Sequence, residues 1–220
     1  MYLCRRNGYK DNRDNTMTRT MNIVFDFGGV LMRHNRAGCL QALREIMPEE
    51  RIVHVLGFGT ERRDTLRHRF ETGQCNTQTF LNQVLACCHP GTTEQQVIDA
   101  WNTMHAGIED KTWAQMEKLH NKGHRLYLMS NTDDIHWQHT LALYRDRIET
   151  LFEKVFLSFE EKTVKPDEAF FKAVNQRIEP NAVPTLFVDD MEANRLAAEH
   201  FAGWKTYASV DELIQTEKLI

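Results

Sequence analysis

A parallel α/β sheet with helices wound onto both faces is the fold class this sequence predicts, on three observations. Short runs of β-branched and aromatic residues alternate with helical periodicity through the second half of the chain. Those runs are apolar throughout, as strands covered on both faces are. Three of them finish in polar groups: Asp26, then Ser130-Asn131, then Asp189-Asp190. Parallel strands share one direction, so neighbouring strands gather such groups on a single edge, where open α/β sheets bind ligands.

The first strand is the run Ile23-Val24-Phe25, closing on Asp26. Gly28 and Gly29 follow and let the backbone turn sharply. Residues 33–36 are polar and read as a short loop or flap. Leu40, Leu43, Ile46 and Met47 then recur at helical spacing until Pro48 ends the pattern. A charged helix is expected over 62–70, and its 62–69 stretch is a candidate specificity surface. A third helix covers 77–88, with Phe80, Leu81, Val84 and Leu85 on one face and Pro90-Gly91 as its stop. Thr93 and Gln96 form a capping-box pattern opening a fourth helix through Val97, Ile98, Trp101 and Met104. No strand pattern interrupts this block. Residues 37–106 therefore read as a helical module inserted between two parts of one core, 21–36 and 107–220.

The α/β alternation then resumes. A helix over 109–121 carries Trp113, Met116 and Leu119 along one side, with Gly123 as its C-terminal cap. Strands are expected at 125–129, 154–157, 185–188 and 204–207. Between them come a helix at 135–144, a loop to Lys165-Pro166-Asp167, a helix on Phe170, Phe171 and Val174, and a helix at 193–201 capped by Gly203. This spacing predicts a doubly wound, five-stranded, Rossmann-like sheet.

The 220 residues, 41% of them hydrophobic, suffice for one sizeable core and a smaller module. A formal charge of -4 with mixed signs argues against a nucleic-acid partner. Five cysteines without regular spacing indicate a reducing, cytoplasmic setting. Cys75, Cys87, Cys88 and His89 do not match the spaced pairs of zinc sites. No apolar run reaches the length of a membrane span. Residues 1–20 lack the apolar stretch of a signal peptide and read as a disordered tail, with Met17 and Met21 as alternative starts.

Clustered carboxylates repel one another, and a hard cation with oxygen ligands, most plausibly Mg²⁺, relieves that repulsion. A hydroxyl, a backbone amide at a helix start and an ammonium together hold the oxygens of a phosphoryl group. Ser130, Asn131 and Lys165 supply these three, and an Asp in line with the phosphorus can attack it. Taken singly, Ser130 is a helix cap, Lys165 a solvated lysine and Asp189-Asp190 a turn pair. Their joint occurrence in this order, at strand ends and the loop after one, points to phosphoryl transfer.

These residues resemble the haloacid dehalogenase (HAD) superfamily of aspartyl-phosphate phosphatases over nearly all of residues 21–208. Phe25-Asp26-Phe27-Gly28-Gly29-Val30 resembles its first motif and Met129-Ser130-Asn131-Thr132 its second. Val164-Lys165-Pro166-Asp167 resembles the third, and Phe187-Val188-Asp189-Asp190 with Asn194 and Ala197-Ala198 the fourth. The helical insertion resembles the type C1 cap. The resemblance implies that Asp26 is the nucleophile and a Mg²⁺ ligand, joined by the Gly28 carbonyl and the Asp190 carboxylate. It implies that Ser130, the Asn131 backbone and Lys165 hold the phosphate, with Asp189 orienting Lys165 or a metal-bound water. The FDFGGV and LMSNT stretches, with Trp101-Asn102, look most like the branch of α-D-glucose-1-phosphate phosphatases.

One position departs from the family pattern. Most such phosphatases carry a second Asp two residues after the nucleophile, as acid to the leaving group and base to water; here it is Gly28. General acid-base help contributes about 10² to 10⁴ in rate. A leaving group that needs little protonation would suffer least, and His34 or His136 could stand in. The expectation is a Mg²⁺-dependent phosphatase of a small phosphorylated metabolite, such as a sugar phosphate. The alternative is a regulatory module that binds phosphate esters without turning them over.

Overall fold

The computed structural model describes residues 20–57, 65–178 and 183–220. Nearly all of the expected tail, and the beginning of the helix expected over 62–70, lie outside the described residues. The central sheet has five parallel strands: β1 (Asn22–Phe25), β4 (Arg125–Ser130), β5 (Phe152–Leu157), β6 (Thr185–Val188) and β7 (Lys205–Tyr207), in the order β5-β4-β1-β6-β7. β1 sits in the middle. Phe25 pairs in register with Leu128 on one side and Val188 on the other, so Asp26 stands level with Asp189 and one residue short of Ser130.

Alternation along the strands separates two apolar layers. Ile23 and Phe25, with Leu126, Leu128 and Val188, pack beneath α6 (Asp110–Asn121), α7 (Asp134–Leu151) and α11 (Val210–Glu217). Val24, Tyr127 and Phe187 face the other way, onto α9 (Glu168–Arg177) and α10 (Glu192–Ala202). Burial on both faces is why these strands read as unbroken apolar runs.

A third apolar cluster lies in the helical region: α1 (Arg36–Ile46), α2 (Glu49–Leu56), α3 (Leu66–Glu71), α4 (Thr77–Leu85) and α5 (Glu94–Asn102). The capping box opening α5 is present, with Thr93 and Gln96 bonded reciprocally. Cys75, Cys87 and Cys88 pack against this cluster.

Several elements differ from expectation. The polar stretch expected as a loop over 33–36 overlaps β2 (Met32–His34), which pairs antiparallel with β3 (His105–Ile108). β3 begins inside the block expected to be purely helical. Strands this short carry too little alternation to register as a pattern, and β3 contains Gly107 at φ 91°. Pro48 does end α1, but it also sits at the N-cap of α2, whose first turn carries Glu49 and Glu50. α7 runs well past residue 144 because its second half exposes a solvated face, including an Arg145–Glu149 ion pair one turn apart. α11, opened by a Ser209 cap, and the short α8 (Ser158–Glu161) had no strong signal. No helix among the described residues is long and apolar enough to cross a membrane.

Candidate active site

The parallel ladder continues one bond beyond β1: the Asp26 N–H donates to the Val188 carbonyl at 2.8 Å. That bond fixes the Asp26 backbone where the apolar run ends. Its carboxylate Oδ1 accepts from the Phe27 N–H and from Lys165 Nζ, both at 2.7 Å. No described residue donates to Oδ2. Burial pushes the Asp26 carboxyl up, the Lys165 ammonium pulls it back and Asp189 pushes it up again, leaving it at about 6.

Lys165 is 3% exposed and also donates to Asp189 Oδ2 at 2.7 Å. Burial works to lower its pKa, but Asp26 and Asp189 outweigh burial and the net shift is upward. The Asn131 side chain holds the Lys165 backbone from both sides, donating to its carbonyl at 2.9 Å and accepting its N–H at 2.8 Å. Its own N–H finds no partner among the described residues, and neither does the Ser130 hydroxyl; both residues line the cavity.

Asp189, fully buried, accepts from Lys165, from the Met191 N–H at 2.9 Å and from Asn194 Nδ2 at 3.0 Å on both oxygens. Its oxygens are saturated by protein donors. Asp190 is exposed, and no described residue donates to its carboxylate. Gly29 allows Asp190 to approach: at φ 89°, a Cβ there would lie 2.6 Å from Asp190 Oδ2. Carboxylate oxygens of Asp26, Asp189 and Asp190 all lie within 4.8 Å of one another, the one such acidic or metal-ligating group among the described residues. A hard cation fits this donor set: Asp190 and Asp26 Oδ2 have oxygens to spare, and the glycine leaves the approach open.

These groups floor a cavity of about 290 Å³ roofed by His34 of β2 and by the helical region, including Arg36, Arg67 and Trp101. The structure brings Asp26, Gly28, Ser130, Asn131, Lys165 and Asp190 to this one cavity, with Asp189 directly behind Lys165.

The two histidines named as stand-ins separate here. His136 is buried, with Nδ1 2.8 Å from Asp133 Oδ2 and Nε2 3.0 Å from the Trp101 carbonyl. Both partners are acceptors, so the ring donates from both nitrogens and is an imidazolium. Burial works against that charge, but Asp133 prevails and the pKa is raised. His136 has no nitrogen left for a substrate, which removes it as a stand-in. His34 instead lies against Gly28: a Cβ on that glycine would fall 2.4 Å from His34 Nε2. Its ring occupies the room a Gly28 side chain would take.

The sequence reading passed over Asp133 and the polar role of Trp101. Asp133 caps α7 and accepts the Trp101 indole N–H at 3.0 Å, tying roof to floor. An Asp three residues before a helical His is a recognisable cap spacing; its bond to Trp101 is not readable from sequence.

No protein-family model matches the chain. It is 30% identical to a HAD family enzyme from Bacteroides thetaiotaomicron, over 86% of this chain and 93% of that one, with a TM-score of 0.75. A structure of that enzyme in complex with magnesium and inorganic phosphate is 29% identical over the same shares, with a TM-score of 0.71. A HAD-like family hydrolase from Porphyromonas gingivalis is 28% identical over 87% of this chain and 91% of that one, with a TM-score of 0.72. A sesquiterpene phosphatase of Aspergillus oryzae is 25% identical over 178 residues, 80% of this chain and 83% of that protein.

Proposed function

This chain belongs to the HAD family of hydrolases, and from that membership we propose that it is a Mg²⁺-dependent phosphatase of small phosphate esters acting through an aspartyl-phosphate on Asp26. One observation carries the reading. A buried carboxylate ends the central strand with one oxygen pinned by Lys165 and Phe27, the other without a protein donor, and two further carboxylates within 4.8 Å.

In this reading the Asp26 carboxylate attacks phosphorus, the bond to the alcohol oxygen breaks, and water then hydrolyses the acyl phosphate, releasing inorganic phosphate and restoring the carboxylate. Ser130, the Asn131 N–H and Lys165 hold the non-bridging oxygens. Mg²⁺ held by Asp26, Asp190 and the Gly28 carbonyl would neutralise charge between carboxylate and phosphate. Asp189 keeps Lys165 aimed. His34 is exposed to the cavity, and neither ring nitrogen has a hydrogen-bonding partner among the described residues. Burial and the Arg36 guanidinium hold its pKa down, so the neutral ring suits accepting a proton from the attacking water. Residues 37–106 would act as a cap that excludes water while the first step proceeds.

Sugar phosphates whose departing oxygen needs little protonation suit a site with glycine at position 28. A relative that is a sesquiterpene phosphatase supports a phosphate-ester substrate and leaves the alcohol open. Phosphate release from a panel of sugar, alkyl and aryl phosphates, with and without Mg²⁺, tests the proposal. Metal-dependent release that disappears in Asp26→Asn is expected; release unaffected by that substitution would overturn it.

A further inference from the structure

The roof of the cavity carries more positive charge than the transferred phosphate requires, since the floor already supplies Lys165 and the donors at Ser130 and Asn131. Arg67, on α3, donates from Nε to Glu71 Oε1 one helical turn on, at 2.6 Å. That bond uses one edge of the guanidinium and sets its plane. No described residue bonds to its two terminal nitrogens, although the side chain is only a third exposed. Arg36, the first residue of α1, has no hydrogen-bond or ion-pair partner among the described residues. Both arginines line the cavity that holds Asp26. Both also depress the His34 imidazole, which sets them on the side of the cavity where His34 covers Gly28.

A helical Arg–Glu pair one turn apart is ordinarily a solvated surface feature. Here it lines the cavity above Asp26, and its open edge is the two-nitrogen fork that matches a carboxylate or phosphate. Glu71 cancels one unit of charge; Arg36 supplies the surplus. We propose that the alcohol portion of the substrate carries a second anionic group, a carboxylate or a phosphate, bound beneath the roof by Arg67 and Arg36. This rests on the phosphatase reading and adds a substrate class to it.

Three esters of one carbon skeleton test the inference: propyl phosphate, 3-phosphooxypropanoate and propane-1,3-diyl bisphosphate. Phenyl phosphate serves as a general probe of turnover, and Mg²⁺ is present throughout. The wild type is expected to favour one of the two doubly anionic esters over propyl phosphate by about tenfold or more in kcat/KM, as a charge-assisted fork supplies. Which one it favours distinguishes a carboxylate from a phosphate. Arg67→Gln and Arg36→Gln should each shrink that preference chiefly through KM, and Arg67→Lys should keep only part of it. Should Arg67→Gln fail to fold, as judged by its melting curve, Arg36→Gln carries the test. Release from phenyl phosphate without any preference, or a preference that neither substitution moves, would overturn the inference alone. No release from any ester would overturn the phosphatase reading with it.

Discussion

The floor and the roof of the cavity are built differently. On the floor, the key side chains bond to one another: Asp26 to Lys165, Lys165 to Asp189, and Asp189 to Asn194. The chain is buried and springs from the ends of β1 and β6 and the loop after α8. On the roof, His34, Arg36 and Arg67 are at least partly exposed to the cavity and sit on three separate elements, β2, α1 and α3. The difference teaches where each decision is made. Under the proposed function, a reaction that needs fixed geometry would fall to the rigid strand ends, and the choice of alcohol, which needs only complementary charge and shape, would fall to the roof side chains.

Substitutions on the two sides should break or sharpen this contrast. The largest effect is expected from Asp26→Asn, on the order of 10⁴-fold or more in phosphate release, as for other nucleophile deletions. A roof substitution of equal size in a single-ester assay would break the division. Lys165→Met should come next. It removes the cation between two buried carboxylates, at about 3 to 5 kcal/mol of stability, measurable by urea unfolding without Mg²⁺. A loss under 1 kcal/mol would mean that the carboxylates relax apart more freely than the floor's rigidity implies.

Gly28→Asp probes the seam between the two. The new side chain meets the His34 ring at 2.4 Å, and overpacking of this kind costs about 1 to 3 kcal/mol. Adding His34→Ala should relieve that cost in thermal melts; equal melting of the single and double variants would show that the ring moves aside freely. Trp101→Phe removes the indole N–H from Asp133, and losing that bond should cost about 1 to 2 kcal/mol. If the roof is docked as described, KM for a small ester should rise along with the loss of stability.

The last effect depends on pH and is absent near neutrality. His105 stacks on the His136 imidazolium at 4.4 Å, and burial followed by that charge pushes its pKa down to about 3. Asp133 works in the opposite direction, while His34 and His139 add to the depression. The unfolded chain would protonate this histidine near its ordinary value of 6.5, whereas the folded chain resists until about 3. Its share of stability is therefore complete above 6.5 and lost as pH falls, at up to about 1.4 kcal/mol per pH unit. His105→Phe should flatten the melting temperature between pH 6.5 and 4; parallel curves would exclude the assignment.

The floor was legible in the sequence because unbroken apolar runs stop at polar residues, and a parallel sheet leaves those stops only one edge to share. The capping box at Thr93 was legible because both partners lie three residues apart. What escaped was long-range. The Asn131 side chain reaches a loop 34 residues on, and the Trp101 indole meets a cap 32 residues on. Nothing local marks either bond. β2 and β3 escaped because a two-stranded ribbon of three and four residues has almost no period to detect. α2 escaped because Pro48 ends one helix and begins another.

That ribbon has a consequence for how such proteins diversify. β2 and β3 pair Met32 with Ile108 and His34 with His105, so the backbone leaves the sheet layer and returns to it side by side. The chain between them leaves and rejoins the core at this one ribbon. Closing a longer or shorter segment across a junction already clasped changes the loop-closure cost only slowly with length. Changes of length between the two strands should thus cost little at the junction itself, while the bonds from Trp101 to Asp133 and from Thr77 to Asp134 are what a replacement would have to supply anew.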